Sequence, residues 1–95
     1  MKTKSSPIRV LLADDHAVVR AGIRQFLEQA EDIQVVAEAD DGDMAEKLIA
    51  EHQPDVAVLD IQMPKATGIE VTRWVRANHR EVGVLRAIEQ LLHLK

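Results

Sequence analysis

Ile8-Arg9-Val10-Leu11-Leu12-Ala13-Asp14-Asp15 is an apolar, β-branched-rich run stopped by two acids, and it reads as a buried strand. From His16 the period changes. Val19, Ile23, Phe26, Leu27 and Ala30 recur at helical spacing with Arg20, Arg24, Gln25 and Glu28 between them. This predicts a helix with the apolar five inward, capped by Asp14 or Asp15 and ended by Glu31-Asp32. The alternation then repeats. Ile33 to Ala37 reads as a strand, Asp40-Asp41-Gly42-Asp43 as a solvated turn, and Met44 to His52 as a helix with Met44, Leu48 and Ile49 on one face, broken by Pro54. Val56 to Leu59 is a third strand stopped by Asp60. Residues 61–67 read as a loop, and Gly68 to Asn78 as a helix with Val71, Trp74 and Val75 inward. Val82 to Leu85 is a short fourth strand, and Arg86 to Lys95 reads as helical.

Strands that are apolar from end to end, alternating with amphipathic helices, imply an α/β fold, a doubly wound parallel sheet covered on both faces. Right-handed crossovers place the C-terminal ends of all strands on one edge, where such folds bind ligands. If the first and third strands are neighbours, as in the order 2-1-3-4, then Asp14, Asp15 and Asp60 converge there.

The composition narrows the function. The chain has 95 residues, 46% hydrophobic and 29% charged, enough for one domain with a real core. It has no cysteine, which removes disulfides, thiolate metal sites and thiol nucleophiles. A net charge of −4 and 2% aromatic residues argue against nucleic-acid binding by this chain. No apolar run approaches the roughly 18 residues of a membrane span, and Met1 to Pro7, a loose polar leader, lacks a signal-peptide core. The expected setting is the cytoplasm.

Like charges crowded at the dry edge of a sheet cost energy, and a hard divalent cation removes that cost. Mg²⁺ suits one or two carboxylates with waters and phosphate oxygens. A strand-end aspartate by itself is more simply a helix cap, so the joint placement of the three carries the argument.

Asp60-Ile61-Gln62-Met63-Pro64-Lys65-Ala66-Thr67-Gly68, a D-x-x-M-P-x-x-x-G pattern, follows the Leu11-Leu12-Ala13-Asp14-Asp15-His16-Ala17-Val18-Val19-Arg20-Ala21-Gly22-Ile23 opening. Together they resemble the receiver domain of two-component response regulators, and the opening is most similar to the FixJ/LuxR-type branch of transcription factors. The resemblance implies a flavodoxin-like fold over residues 8–85. It makes Asp60 the acceptor of a phosphoryl group from a sensor histidine kinase. Mg²⁺ would be held by Asp14, Asp15, Asp60 and the backbone carbonyl of Gln62. Met63, Pro64 and Gly68 would shape the loop, with proline fixing φ and glycine permitting a positive one. The resemblance implies a signalling module, not an enzyme, that controls a DNA-binding output domain absent from these residues.

The chain departs from this pattern after the fourth strand. The family ends that strand in Ser or Thr and has a fifth strand ending in Lys, whereas here Val84-Leu85 is followed by Arg86-Ala87 and then by a segment similar to the family's last helix, residues 86–95. Without the hydroxyl and the lysine, a phosphoryl group loses two charge-assisted contacts, on the order of 1.5–3 kcal/mol each. Lys65 and Lys95 read as surface lysines. The alternative function is therefore a non-switching interaction module, paired as a homodimer through the shortened sheet edge or the C-terminal helix. His16, though beside the acids, is read as a surface residue opening a helix. Asp40-Asp41-Gly42-Asp43 fails as a calcium loop, because the first and last ligand slots fall on Ala37 and Leu48.

Overall fold

In the computed structural model, which describes residues 6–60 and 63–86, strands and helices alternate from Ile8 onward. They are β1 (Ile8–Ala13), α1 (Ala17–Glu28), β2 (Ile33–Ala39), α2 (Gly42–His52), β3 (Val56–Leu59), α3 (Gly68–Asn78) and β4 (Gly83–Arg86). The four strands form one parallel sheet in the order β2-β1-β3-β4. The parallel sheet is the one expected from the apolar strands, and its order is the flavodoxin-like one that the family resemblance implies.

Alternate residues of each strand point to opposite faces, so the sheet builds two cores. Leu11 and Ala13 of β1 join Ala57 and Leu59 of β3, and α2 and α3 cover them with Ala45, Ile49, Val71 and Val75. On the other face Val10, Leu12, Val35 and Val58 meet Ile23 of α1, flanked by Val19 and Leu27. Trp74 packs half-buried on the first core, its ring centroid 4.9 Å from that of His79.

Several boundaries differ from the sequence reading. Phe26 is 71% exposed, because among the described residues α1 is the one helix on its face and nothing stands on its Phe26 flank. The helix ends at Glu28, before Glu31-Asp32, and its N-cap residue is His16, with no side-chain cap from an aspartate. β2 runs two residues further, to Ala39.

The acidic turn belongs to α2. Asp41 is its N-cap and accepts from the Met44 amide at 2.8 Å, Ala45 and Ile49 face inward, and Met44 is exposed. Gln53, in the left-handed region at φ 48°, closes the helix ahead of Pro54. Arg86 closes β4, so the C-terminal helix proposed for 86–95 loses its first residue to a strand, and 87–95 lie outside the described residues.

Candidate functional site

β1 and β3 lie side by side and parallel, pairing Ala13 with Leu59 at their C-terminal ends. Each strand therefore hands its next residue to the same edge. The ladder continues one step past both strands. The Asp14 amide donates to the Ala39 carbonyl at 3.0 Å, and the Asp60 amide to the Ala13 carbonyl at 2.9 Å. These bonds hold Asp14 and Asp60 at the sheet edge with 1% and 4% of their surface exposed, while Asp15 is more open.

The carboxylates meet. One ligand atom each from Asp14, Asp15, His16 and Asp60 lie within 4.8 Å of one another, the convergence expected for the three acids. Their common neighbour is the His16 ring, whose Nδ1 is 3.0 Å from Asp14 Oδ1, 3.0 Å from Asp15 Oδ1 and 3.9 Å from Asp60 Oδ2. His16 is exposed and opens α1, as its sequence reading has it, and its ring in addition lies against the acids. The N-cap backbone is extended, with φ −101° and ψ 103°, and Asp14 Oδ1 accepts from the His16 amide at 2.7 Å, which carries the ring back over the acids. Adjacency to Asp14 and Asp15 is the signal that the sequence offers for this contact.

Arg20, one turn into α1, braces the site from behind. Its guanidinium donates to the backbone carbonyl of Asp14 and, through Nε, to Glu38 Oε1 at 3.0 Å. Arg24 also pairs with Glu38 and with Glu28, and the bond to Glu38 is the main reason its guanidinium titrates above the ordinary arginine range. The β2 end, the first turn of α1 and the Asp14 backbone thus share one charged network.

The loop after Asp60 is described from Met63 onward; Ile61 and the proposed Gln62 carbonyl ligand lie outside the described residues. Met63 is buried in the core beneath α2 and α3. The Pro64 carbonyl accepts from Ala66 at 2.8 Å and from Gly42 at 3.2 Å, tying the loop to the start of α2. The left-handed turn falls on Lys65, at φ 74°, and Gly68 is not at positive φ; it is the buried first residue of α3. Thr67 caps that helix in a reciprocal box with Glu70: the Glu70 amide donates to Thr67 Oγ1 at 3.2 Å, and the Thr67 amide to Glu70 Oε1 at 2.8 Å. Lys65 Nζ lies 3.6 Å from Asp41 Oδ2, and the Asp41 carboxyl is held below its ordinary value, first by the Met44 amide and then by this lysine.

The three carboxylates fit a hard divalent cation. Asp14 Oδ2 is buried with no hydrogen-bond partner among the described residues, and a buried carboxylate oxygen is costly in that state. A cation bound by several carboxylates removes that cost.

Residues 10–87 match the family described as the response regulator receiver domain. The chain belongs to that family. The receiver is 47% identical over 68 residues to the transcriptional regulatory protein LiaR of Bacillus subtilis, covering 72% of this chain and 32% of LiaR. It superposes with a TM-score of 0.81 on a two-component response regulator of the LuxR family from Aurantimonas, 40% identical, covering 85% of this chain and 58% of that one. The CheX–CheY–BeF3–Mg²⁺ complex of Borrelia burgdorferi is also similar, with a TM-score of 0.80, 26% identity and coverage of 85% of this chain and 61% of that one. The family and its FixJ/LuxR-type branch agree with the sequence reading. The receiver spans about a third of the length of the curated relatives it matches, 36% for DegU and GacA and 32% for LiaR. The match is to a signalling domain, and among the described residues no helix is long and apolar enough to cross a membrane.

Proposed function

We propose that Asp60 is the phospho-acceptor of a two-component receiver, taking its phosphoryl group from a sensor histidine kinase in the cytoplasm. The observation that carries this reading is the meeting of Asp14, Asp15 and Asp60 within 4.8 Å at the C-terminal edge of the sheet. In the transfer, an Asp60 carboxylate oxygen forms the new bond to phosphorus as the phosphorus–nitrogen bond of the kinase phosphohistidine breaks, and its electron pair stays on the imidazole. Asp14, Asp15, Asp60 and the Gln62 carbonyl are the residues to hold Mg²⁺. That ion, when bound, neutralises charge on the phosphoryl oxygens. A CheY relative that holds Mg²⁺ together with BeF3 supports the choice of cation.

The chain's own residues supply position and access. The Asp60–Ala13 bond fixes the nucleophile against the sheet, and Arg20 fixes the Asp14 backbone. Control of a DNA-binding output is proposed by analogy with the transcriptional regulatory relatives.

Incubation with acetyl phosphate and Mg²⁺, followed by intact mass measurement, tests the reading. The expected result is the addition of one phosphoryl group, lost in Asp60→Asn. A folded protein that gains no mass ends it.

A second reading has its own observation. Leu85 is 50% exposed on β4, the edge strand of the sheet among the described residues. An interaction module would pair copies along that edge. A concentration-dependent dimer in sedimentation, dissolved by Leu85→Lys, would favour it.

A further inference from the structure

We propose that His16 is a fourth ligand of the cation site, so that the receiver takes transition-metal divalent ions in preference to Mg²⁺. The inference rests on the reading of the acid cluster as a cation site and assigns that site's metal preference. A single ring nitrogen has one lone pair or one proton to offer, yet Nδ1 stands 3.0 Å from an oxygen of Asp14, 3.0 Å from one of Asp15 and 3.9 Å from one of Asp60. One N–H cannot point at all three carboxylates. A metal ion can serve them together. Adjacent donors on an octahedral ion bound at about 2.1 Å are about 3.0 Å apart, which is the spacing seen for the first two pairs.

Two further features point to a ligand here. Asp14 is 1% exposed, and its Oδ2 has no hydrogen-bond partner among the described residues although its sister oxygen faces the ring. The His16 side chain is 54% exposed and stands on the solvent side of the buried Asp14 and Asp60 carboxylates. Three carboxylates alone form an oxygen site that suits Mg²⁺. Adding an imidazole nitrogen turns it into a mixed nitrogen and oxygen site, which favours cobalt, nickel or zinc over magnesium. The ring ligates from Nδ1 with its one proton on Nε2.

The test compares two cations on three proteins. Wild type, His16→Ala and His16→Gln are titrated separately with Co²⁺ and with Mg²⁺. Binding is read by calorimetry and amide NMR, and Co²⁺ also by its visible absorption. Loss of His16 is expected to weaken Co²⁺ by about tenfold or more, change its absorption bands, and move Mg²⁺ affinity by less than about twofold. Gln, which cannot supply an imidazole nitrogen, is expected to behave as Ala. If both cations bind and the substitutions leave the ratio of their affinities unchanged, this inference falls while the phospho-acceptor reading stands. If neither cation binds the wild type, both fall.

Discussion

The backbone amide of Asp60 donates to the carbonyl of Ala13 at 2.9 Å, which registers the residue after β3 against the residue preceding Asp14. Two aspartates separated by 45 intervening positions are thereby held on one edge by the sheet ladder itself. Their backbones cannot separate without breaking strand pairing, so the two carboxylates stay close neighbours in the folded state. On the proposed cation-site reading, crowding the acids trades stability for cation affinity, and Asp14→Asn tests that trade.

Asp14→Asn keeps an oxygen to accept from the His16 amide and puts an N–H₂ donor in reach of the neighbouring carboxylates. Without divalent cations it is expected to stabilise the protein by on the order of 1 kcal/mol, read as a higher melting temperature. Its Mg²⁺ affinity is expected to fall by at least about tenfold. Thermal melts with and without Mg²⁺ check both: wild type gains stability from the ion and the variant does not.

Leu11 and Phe26 invert the ordinary ranking by size. Leu11 is fully buried between β1 and the α2–α3 layer, whereas Phe26 is 71% exposed. Leu11→Ala is expected to cost about 3 kcal/mol in urea denaturation, and Phe26→Ala less than about 0.5 kcal/mol. Comparable losses would mean that α1 is covered on its outer flank.

Gly42 is needed for a close approach. A Cβ there would stand 2.2 Å from the Ala66 carbonyl oxygen and 2.4 Å from the Ala66 Cβ. Alanine would ordinarily favour a helix by up to about 1 kcal/mol over glycine, but here it must displace the loop that follows Asp60. Gly42→Ala is expected to destabilise the protein and shift the amide signals of residues 63–67. Adding Ala66→Gly is expected to rescue it only in part, because the backbone oxygen remains.

The two perturbed carboxyls of α2 respond to pH in opposite senses. Burial, followed by the charges of Asp43 and Glu70, pushes Glu46 above its ordinary value of 4.5. Its folded form holds the proton more tightly, so its stabilising contribution is full below 4.5 and is lost as pH rises through the folded value. Glu46→Gln is therefore expected to raise the melting temperature at pH 7 and leave it unchanged at acid pH. Solvent screening at this partly exposed group keeps the gain to a few tenths of a kcal/mol. Asp41, held below its ordinary value of 3.8, stabilises at neutral pH and loses that contribution as pH falls through its folded value. Melts of Asp41→Asn across the same range are expected to converge with wild type at acid pH.

Much of this protein was legible in its residues alone. Val56–Leu59 and Gly68–Asn78 appear with the boundaries read from periodicity, because strand alternation and helical repeat depend on neighbours a few positions apart. The site's acids were legible for a related reason. Parallel strands joined by right-handed crossovers end on one edge, so whatever follows Ala13 and Leu59 must arrive there. Other features had no local signature. The exposure of Phe26 depends on what stands beside α1. The left-handed turn falls on Lys65, next to a Pro64 carbonyl that accepts from Ala66 and also from Gly42, more than twenty positions earlier. The His16 ring sits among three carboxylates, one of which is brought by a strand far along the chain. Local pattern determined which segments are strands and helices. Only the folded chain decided which side chains share a space, because that depends on contacts between residues far apart in sequence.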